Sequence, residues 1–248
     1  MDTLDLKPRS NVELIDASFQ FLRQNFVVVF TTIAATYAPI ALFEFMSLSH
    51  VGDVGTRLAT VLVTWVFSAM AQAATIEIVA TRYMGENITP ADALRAVWRR
   101  LLTVLGVTFF YGLFVGVMTV LFIIPGIYVA TKYFGAMAAA MVEGLGMNAA
   151  MTRSAKLTDG SKRRVFNIFA LTILIYIVLN AVLSGIAAAL LPVAGAVLLA
   201  RVAMAVTNPF IFILVTLVYF DLRIRREGLD IDLMMAPVPA AAAGPVSA

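Results

Sequence analysis

Long apolar stretches alternate with short polar connections along most of this chain, and six of the stretches are long enough to cross a bilayer. They fall at residues 26–48, 56–81, 101–124, 127–142, 165–191 and 196–222. A helix rises about 1.5 Å per residue, so most of them cover the roughly 30 Å hydrocarbon core. The fourth is the shortest. Two connections carry tight-turn residues, Pro125-Gly126 and Pro192-Val193-Ala194-Gly195, and the first is a short polar loop beginning at His50.

A shorter amphipathic helix is predicted before each pair of spans. The first starts at Ser10 with Glu13 three residues on, a capping-box pattern, and places Ile15, Phe19, Leu22 and Phe26 on one face. The second starts at Thr89-Pro90 with Asp92 in its first turn, and carries Leu94, Val97, Trp98 and Leu101 as its apolar stripe. The third begins near Asn148, with Met147, Ala150, Met151 and Leu157 opposing Arg153 and Lys156. Such helices suit the headgroup plane, although the same pattern fits a plain extension of the next span. The chain thus reads as three units of one amphipathic helix plus two spans. Glu86 lies eight residues before Leu94, and Glu143 eight before Met151. Two spans return the chain to the same side, so the units are parallel repeats about an axis along the membrane normal.

Charge sets the orientation. Of 18 Lys and Arg residues, 15 fall in alternate connections: Lys7, Arg9, Arg23; Arg82, Arg95, Arg99, Arg100; Arg153, Lys156, Lys162, Arg163, Arg164; Arg223, Arg225, Arg226. Only Arg57 lies in an intervening connection, and Lys132 and Arg201 sit within apolar stretches. Cations near helix ends stay on the cytoplasmic side, which places both termini there.

Composition agrees: 61% hydrophobic and 13% charged residues, with a mean hydropathy of +0.93, leave too little polar surface to coat a soluble domain. The expected fold class is an all-α, polytopic integral membrane protein with six transmembrane helices, cytoplasmic interfacial helices and a threefold parallel repeat. Residues 1–235 form the membrane domain. The tail at 236–248 is low-complexity and expected to be disordered. A net charge of +3, with cations flanking spans, reads as anchoring to anionic headgroups and excludes a nucleic-acid face. A polar opening of some 25 residues containing acids as well as bases argues against a cleavable signal peptide.

Ionisable and amide side chains inside apolar stretches are the default site candidates. Glu44 and Arg201 fall near the outer ends of the first and sixth spans, at depths where they can pair. Glu77 lies near the inner end of the second, and Lys132 about two turns from the outer end of the fourth. Gln72, Asn180 and Asn208 lie near the midplane, the last beside Pro209, whose ring frees a backbone carbonyl; Pro39 does the same in the first span. These residues serve either as glue between helices or as the lining of a solute path. The small residues Gly112 and Gly116, with Gly135, Ala136, Ala139 and Ala140, are expected to pack neighbouring helices closely.

No cysteine and one histidine exclude thiolate chemistry and a histidine-rich metal site, and no hydrolase or phosphate-loop motif occurs. Neither a cofactor nor a metal is expected. The only carboxylates that could form an acidic cluster are Glu77, Glu143 and Asp221, at the cytoplasmic side.

Two segments carry a family resemblance. One runs from Pro125-Gly126-Ile127-Tyr128 through Lys132 and Glu143-Gly144 to Arg153-Ser154 and Leu157. The other is Tyr219-Phe220-Asp221-Leu222-Arg223, then Arg225-Arg226-Glu227-Gly228-Leu229-Asp230. With Leu6-Lys7-Pro8-Arg9-Ser10, they resemble the membrane domain attached to some bacterial glycerophosphoryl diester phosphodiesterases. In that family hydrolysis belongs to a separate soluble barrel, which this chain does not contain, so the resemblance implies a bacterial inner-membrane protein without that activity. Pro125-Gly126 then suits an outer turn, Asp221–Arg225 and Arg223–Glu227 suit i,i+4 pairs, and Gly228 suits a helix stop.

The expected function is a non-catalytic scaffold or envelope-maintenance factor. Arg153, Lys156, Arg163, Arg164, Arg223, Arg225 and Arg226 would contact anionic lipid, or a membrane or cytoplasmic protein partner. The alternatives are a transporter or lipid translocator using Gln72, Lys132, Asn180 and Asn208, and a membrane-embedded lipid enzyme using the acidic cluster.

Overall fold

The computed structural model describes residues 9–46, 53–190 and 192–228, with the main chain alone at 193–198, 200 and 201. The opening residues 1–8, the loop around His50 and the tail expected to be disordered lie outside the described residues. The described residues form ten helices: α1 (Asn11–Gln24), α2 (Phe26–Met46), α3 (Val54–Tyr83), α4 (Pro90–Arg99), α5 (Leu101–Leu121), α6 (Ile123–Tyr133), α7 (Ala136–Val142), α8 (Met147–Thr158), α9 (Lys162–Leu190) and α10 (Val193–Glu227). No strand occurs among the described residues. Six segments are long and apolar enough to cross a membrane: α2, α3, α5, α6 with α7, α9, and α10 from Val202.

Local chemistry sets the ends of these helices. Ser10 accepts a hydrogen bond from the Glu13 N–H while the Glu13 carboxylate accepts from the Ser10 N–H, completing the capping box of α1. Asp53 caps α3 through the Thr56 N–H at 2.7 Å, and Thr89 caps α4 ahead of Pro90. Just beyond the second span of each unit, a glycine turns the chain with positive φ: Gly85 at 84°, Gly144 at 68° and Gly228 at 65°. Only glycine takes this conformation cheaply, so the stop recurs wherever a unit ends.

Packing repeats on the same plan. Each unit folds as a helical hairpin, α2 on α3, α5 on α6 and α9 on α10. Each amphipathic helix packs on the second span of the preceding unit: α4 on α3, α8 on α6 and α7, and α1 on α10, which closes the ring. The three second spans meet in the middle. Their buried stretches, Ala69–Ala80, Ala136–Met141 and Ile213–Leu222, all lie toward the basic end. Toward the other end the hairpins present apolar side chains outward, with Leu62 61%, Val120 87%, Ile124 81% and Leu190 75% exposed. Apolar surface on this scale is stable only in lipid.

Several local expectations are corrected. The turn between the third and fourth spans is not Pro125-Gly126 but the single extended residue Phe122 (φ −155°, ψ 127°). Pro125 occupies the first turn of α6, where a missing N–H costs nothing. Gly126 is needed for close approach, because a Cβ there would stand 2.1 Å from Thr119 Oγ1 and 2.7 Å from Thr119 Cα. By contrast, Gly112 and Gly116 would have nothing within 4 Å of an added Cβ among the described residues, so this pair is not a close-packing site there.

The amphipathic faces also differ. In α1 the buried line is Leu14, Ser18 and Phe21, one position off the expected stripe, whose Phe19 and Phe26 stay exposed. In α4, Ala93 and Val97 are buried while Trp98 points outward at 68% exposure. In α8, Ala150, Met151, Ser154, Leu157 and Thr158 are all buried against other helices, so this helix is docked rather than floating on the headgroups.

Candidate functional site: the basic end of the bundle

The fourth span is broken between α6 and α7, and such a break leaves backbone groups needing partners. Helix α8 supplies them. Ser154 Oγ accepts from the Gly135 N–H and donates to the Lys132 carbonyl, both at 3.1 Å, and Thr158 Oγ1 donates to the same carbonyl at 3.1 Å. The main chain of Lys132 is therefore tied to the end of α8, and its Nζ stands 5.1 Å from the centre of its neighbour Tyr133.

Below the break, Glu143 ends α7 and gathers three groups. It accepts from Arg153 Nε at 2.8 Å and from the Tyr219 hydroxyl, and lies 3.5 Å from Arg223. Arg153 and Arg223 also bind Glu227, with Arg153 Nη2 at 2.7 Å and Arg223 Nε at 3.4 Å. Two carboxylates thus hold the Arg153 guanidinium above the ordinary arginine range, Glu227 first and Glu143 second.

A second cluster centres on Asp221, only 3% exposed. Its carboxylate accepts from Arg164 and Arg225 at 2.9 Å each and from the Arg9 N–H at 2.9 Å. The Arg9 carbonyl in turn accepts from Arg164 at 2.5 Å and Arg225 at 2.8 Å. This clamp closes the ring between the first and third units. Burying the ions costs several kcal/mol each, offset only because every carboxylate oxygen has a donor. Arg226 donates to the Lys156 carbonyl at 3.3 Å, tying α10 to α8.

The three candidate acids do not converge. Tyr219 and Arg223 address Glu143, whereas Asp221 and Arg225 lie two residues on, about 200° around the same helix. Glu77 sits apart in a cleft of about 480 Å³ lined by Ala96, Arg99, Arg100 and Met141. Glu143 and Glu227 share Arg153 and Arg223, while Asp221 and Glu77 each stand among other partners, and the ion pairs of the first two acids tie α7, α8 and α10 together. Among the described residues no group of three or more His, Cys, Asp or Glu could hold a metal.

Five of the seven expected lipid-contact cations are engaged internally: Arg153, Arg164, Arg223, Arg225 and Arg226. Topology reasoning counts charge and cannot see partners. Among the described residues, Arg23, Arg99, Lys156 and Arg163 are exposed cations whose side chains make no ion pair.

At mid-depth the amides bind helices. Asn208 donates to the Tyr37 hydroxyl at 2.7 Å and accepts from Tyr176 at 3.0 Å, joining α2, α9 and α10. Asn180 donates to the Tyr176 carbonyl at 2.9 Å and to Thr207 at 3.4 Å. Gln72 differs. It lines a cavity of about 190 Å³ with Tyr111, Tyr133, Phe134, Phe169 and Phe212, and has no hydrogen bond among the described residues. The Glu44–Arg201 pair falls outside the described residues, because the Arg201 side chain is not among them. The tyrosines 37, 176 and 219 were missed in the sequence, although Tyr219 stands within a noted motif.

Fold and site together define an all-α, multi-pass membrane protein. No family model, curated protein or solved structure matches the chain.

Proposed function

We propose that this is a non-catalytic inner-membrane protein of bacteria, held with its basic end on the cytoplasmic leaflet, that acts as a scaffold or envelope- and lipid-maintenance factor through contact with anionic lipid. The observation that carries this reading is the division of charge at the basic end. Its carboxylates Glu143, Asp221 and Glu227 are bound by arginines, whereas among the described residues Arg23, Lys156 and Arg163 are exposed cations without an ion pair. Each such cation near an anionic surface contributes about 1 kcal/mol. The likeness of Tyr219–Asp230 to a bacterial phosphodiesterase membrane domain supports the same compartment, and Tyr219, Arg223 and Arg225 of that segment bind Glu143 and Asp221.

The test compares the wild type with an Arg23→Gln, Lys156→Gln, Arg163→Gln variant in vesicles of phosphatidylglycerol and phosphatidylcholine. Spin-labelled boundary lipid should be enriched in phosphatidylglycerol for the wild type and near the bulk ratio for the variant. Equal boundary composition for both proteins refutes the reading.

The cavity lined by Gln72 favours a second reading, a translocator for an uncharged polar group. It requires flux in proteoliposomes that Gln72→Leu abolishes.

A further inference from the structure

Helix α4 ends at Arg99 and α5 starts at Leu101, and this junction forms one wall of the cleft of about 480 Å³, opposite Glu77 of α3 and Met141 of α7. The volume falls within the roughly 300–1,000 Å³ of small-molecule sites. Trp98 is 68% and Leu102 87% exposed on either side of the two arginines. An outward tryptophan beside an outward leucine marks the boundary between headgroups and acyl chains, so the cleft opens at headgroup level.

Its charges have a particular arrangement. Arg100 donates to the Ala140 carbonyl at 3.3 Å and packs against Gly144, which fixes its guanidinium at the end of α7. Arg99 makes no ion pair among the described residues. Glu77 is only partly exposed, and no cation within salt-bridge distance meets it among the described residues; Arg100 acts on it from farther away. A partly desolvated carboxylate facing a membrane-level cleft calls for a cation. Two guanidiniums beside it call for an anion with several acceptor oxygens.

We propose that this cleft binds the headgroup of an aminophospholipid, its phosphate on Arg99 and Arg100 and its primary ammonium on Glu77, with the acyl chains leaving along Leu102. A headgroup carrying only a phosphate would leave Glu77 without a cation. A zwitterionic headgroup satisfies both walls at once. This goes beyond anchoring by the exposed cations and uses different residues from that test.

Trp98 supplies the reporter. The chain has two tryptophans, and Trp65→Phe leaves Trp98 alone beside the cleft. The protein is reconstituted into equimolar vesicles of phosphatidylethanolamine, phosphatidylglycerol and phosphatidylcholine, with one of the three brominated in its chains at a time. The brominated phosphatidylethanolamine should quench Trp98 most, with a preference of about fivefold over phosphatidylglycerol, the scale of one partly exposed ion pair. Glu77→Gln should remove that preference and keep binding of phosphatidylglycerol. Arg99→Gln, at an exposed side chain, should weaken all three lipids. Equal quenching by the three lipids in wild type overturns the proposal, as does a preference for phosphatidylglycerol or a preference unchanged in a folded Glu77→Gln protein. Loss of anionic boundary lipid in the Arg23, Lys156, Arg163 variant with this preference intact bears on the anchoring alone.

Discussion

Replacing Asp221 by asparagine should loosen the closure of the ring, because the carboxylate is the common partner of three elements. The native group is 3% exposed and takes hydrogen bonds from Arg164, Arg225 and the Arg9 N–H, all at 2.9 Å. Removing one partner of a buried pair costs about 3–5 kcal/mol, since the remaining charge stays desolvated. Two features lower that figure here. Asparagine keeps one oxygen to accept from Arg9, and the Arg164 and Arg225 side chains are 25% and 35% exposed, so water screens part of the loss. The expected destabilisation is about 2–3 kcal/mol. For a chain of this length each kcal/mol moves Tm by about 2–4 °C, giving a fall of roughly 5–10 °C. Thermal unfolding in detergent, followed by near-ultraviolet circular dichroism, measures it. Asp159→Asn is the control: that side chain is 74% exposed, and the change should stay within about 0.5 kcal/mol. Arg164→Gln combined with Asp221→Asn should cost less than the sum of the two, because the orphaned cation goes with its partner. A Tm for Asp221→Asn within a degree or so of wild type, or strict additivity in the double variant, would refute the argument.

Three other perturbations probe the remaining joints. Ser154→Ala removes the hydroxyl that bridges the Gly135 N–H and the Lys132 carbonyl, and should cost about 1–3 kcal/mol; Ser154→Thr should recover part of it in the same thermal assay. Gly126→Ala forces a Cβ to 2.7 Å from the Thr119 backbone and should cost about 1–3 kcal/mol, whereas Gly116→Ala, with open space around it, should be neutral. Asn208→Leu deletes bonds to Tyr37 and Tyr176 and should cost about 1–2 kcal/mol, near the modest value of interhelical hydrogen bonds in membranes. An Asn208→Leu protein as stable as wild type, with flux lost, would assign that residue to a path instead.

Much of the architecture is local in origin and so was legible in the chain. Ser10 with Glu13, Thr89-Pro90 and Gly228 are signals whose partners lie within a turn of helix, and each stands where its chemistry placed it. The pairs Asp221–Arg225 and Arg223–Glu227 follow from i,i+4 spacing alone. Pro125 misled because proline is equally at home in the first turn of a helix and in the turn before it. The buried face of α1 was displaced by one residue because that helix has apolar side chains on two faces, one for α10 and one for lipid.

The docking of α8 was not legible for a different reason. An amphipathic stripe looks alike whether it meets lipid or protein; only Ser154 and Thr158, hydroxyls four residues apart on its apolar face, hinted that backbone groups awaited them. Charge partners were likewise hidden. Two of the arginines that set topology in the sequence, Arg153 and Arg164, are held by Glu143, Glu227 and Asp221, residues brought together only by the packing of α7, α8, α9 and α10.

The most direct test of the whole account uses the absence of cysteine from the chain. Single cysteines are introduced at Val54, 69% exposed near the start of α3, and at Arg163, an exposed side chain at the basic end, and intact bacterial cells are treated with a membrane-impermeant maleimide. With the basic end in the cytoplasm, Val54→Cys should be labelled in intact cells and Arg163→Cys only after the membrane is opened. Labelling of Arg163→Cys from outside, with Val54→Cys shielded, would contradict it.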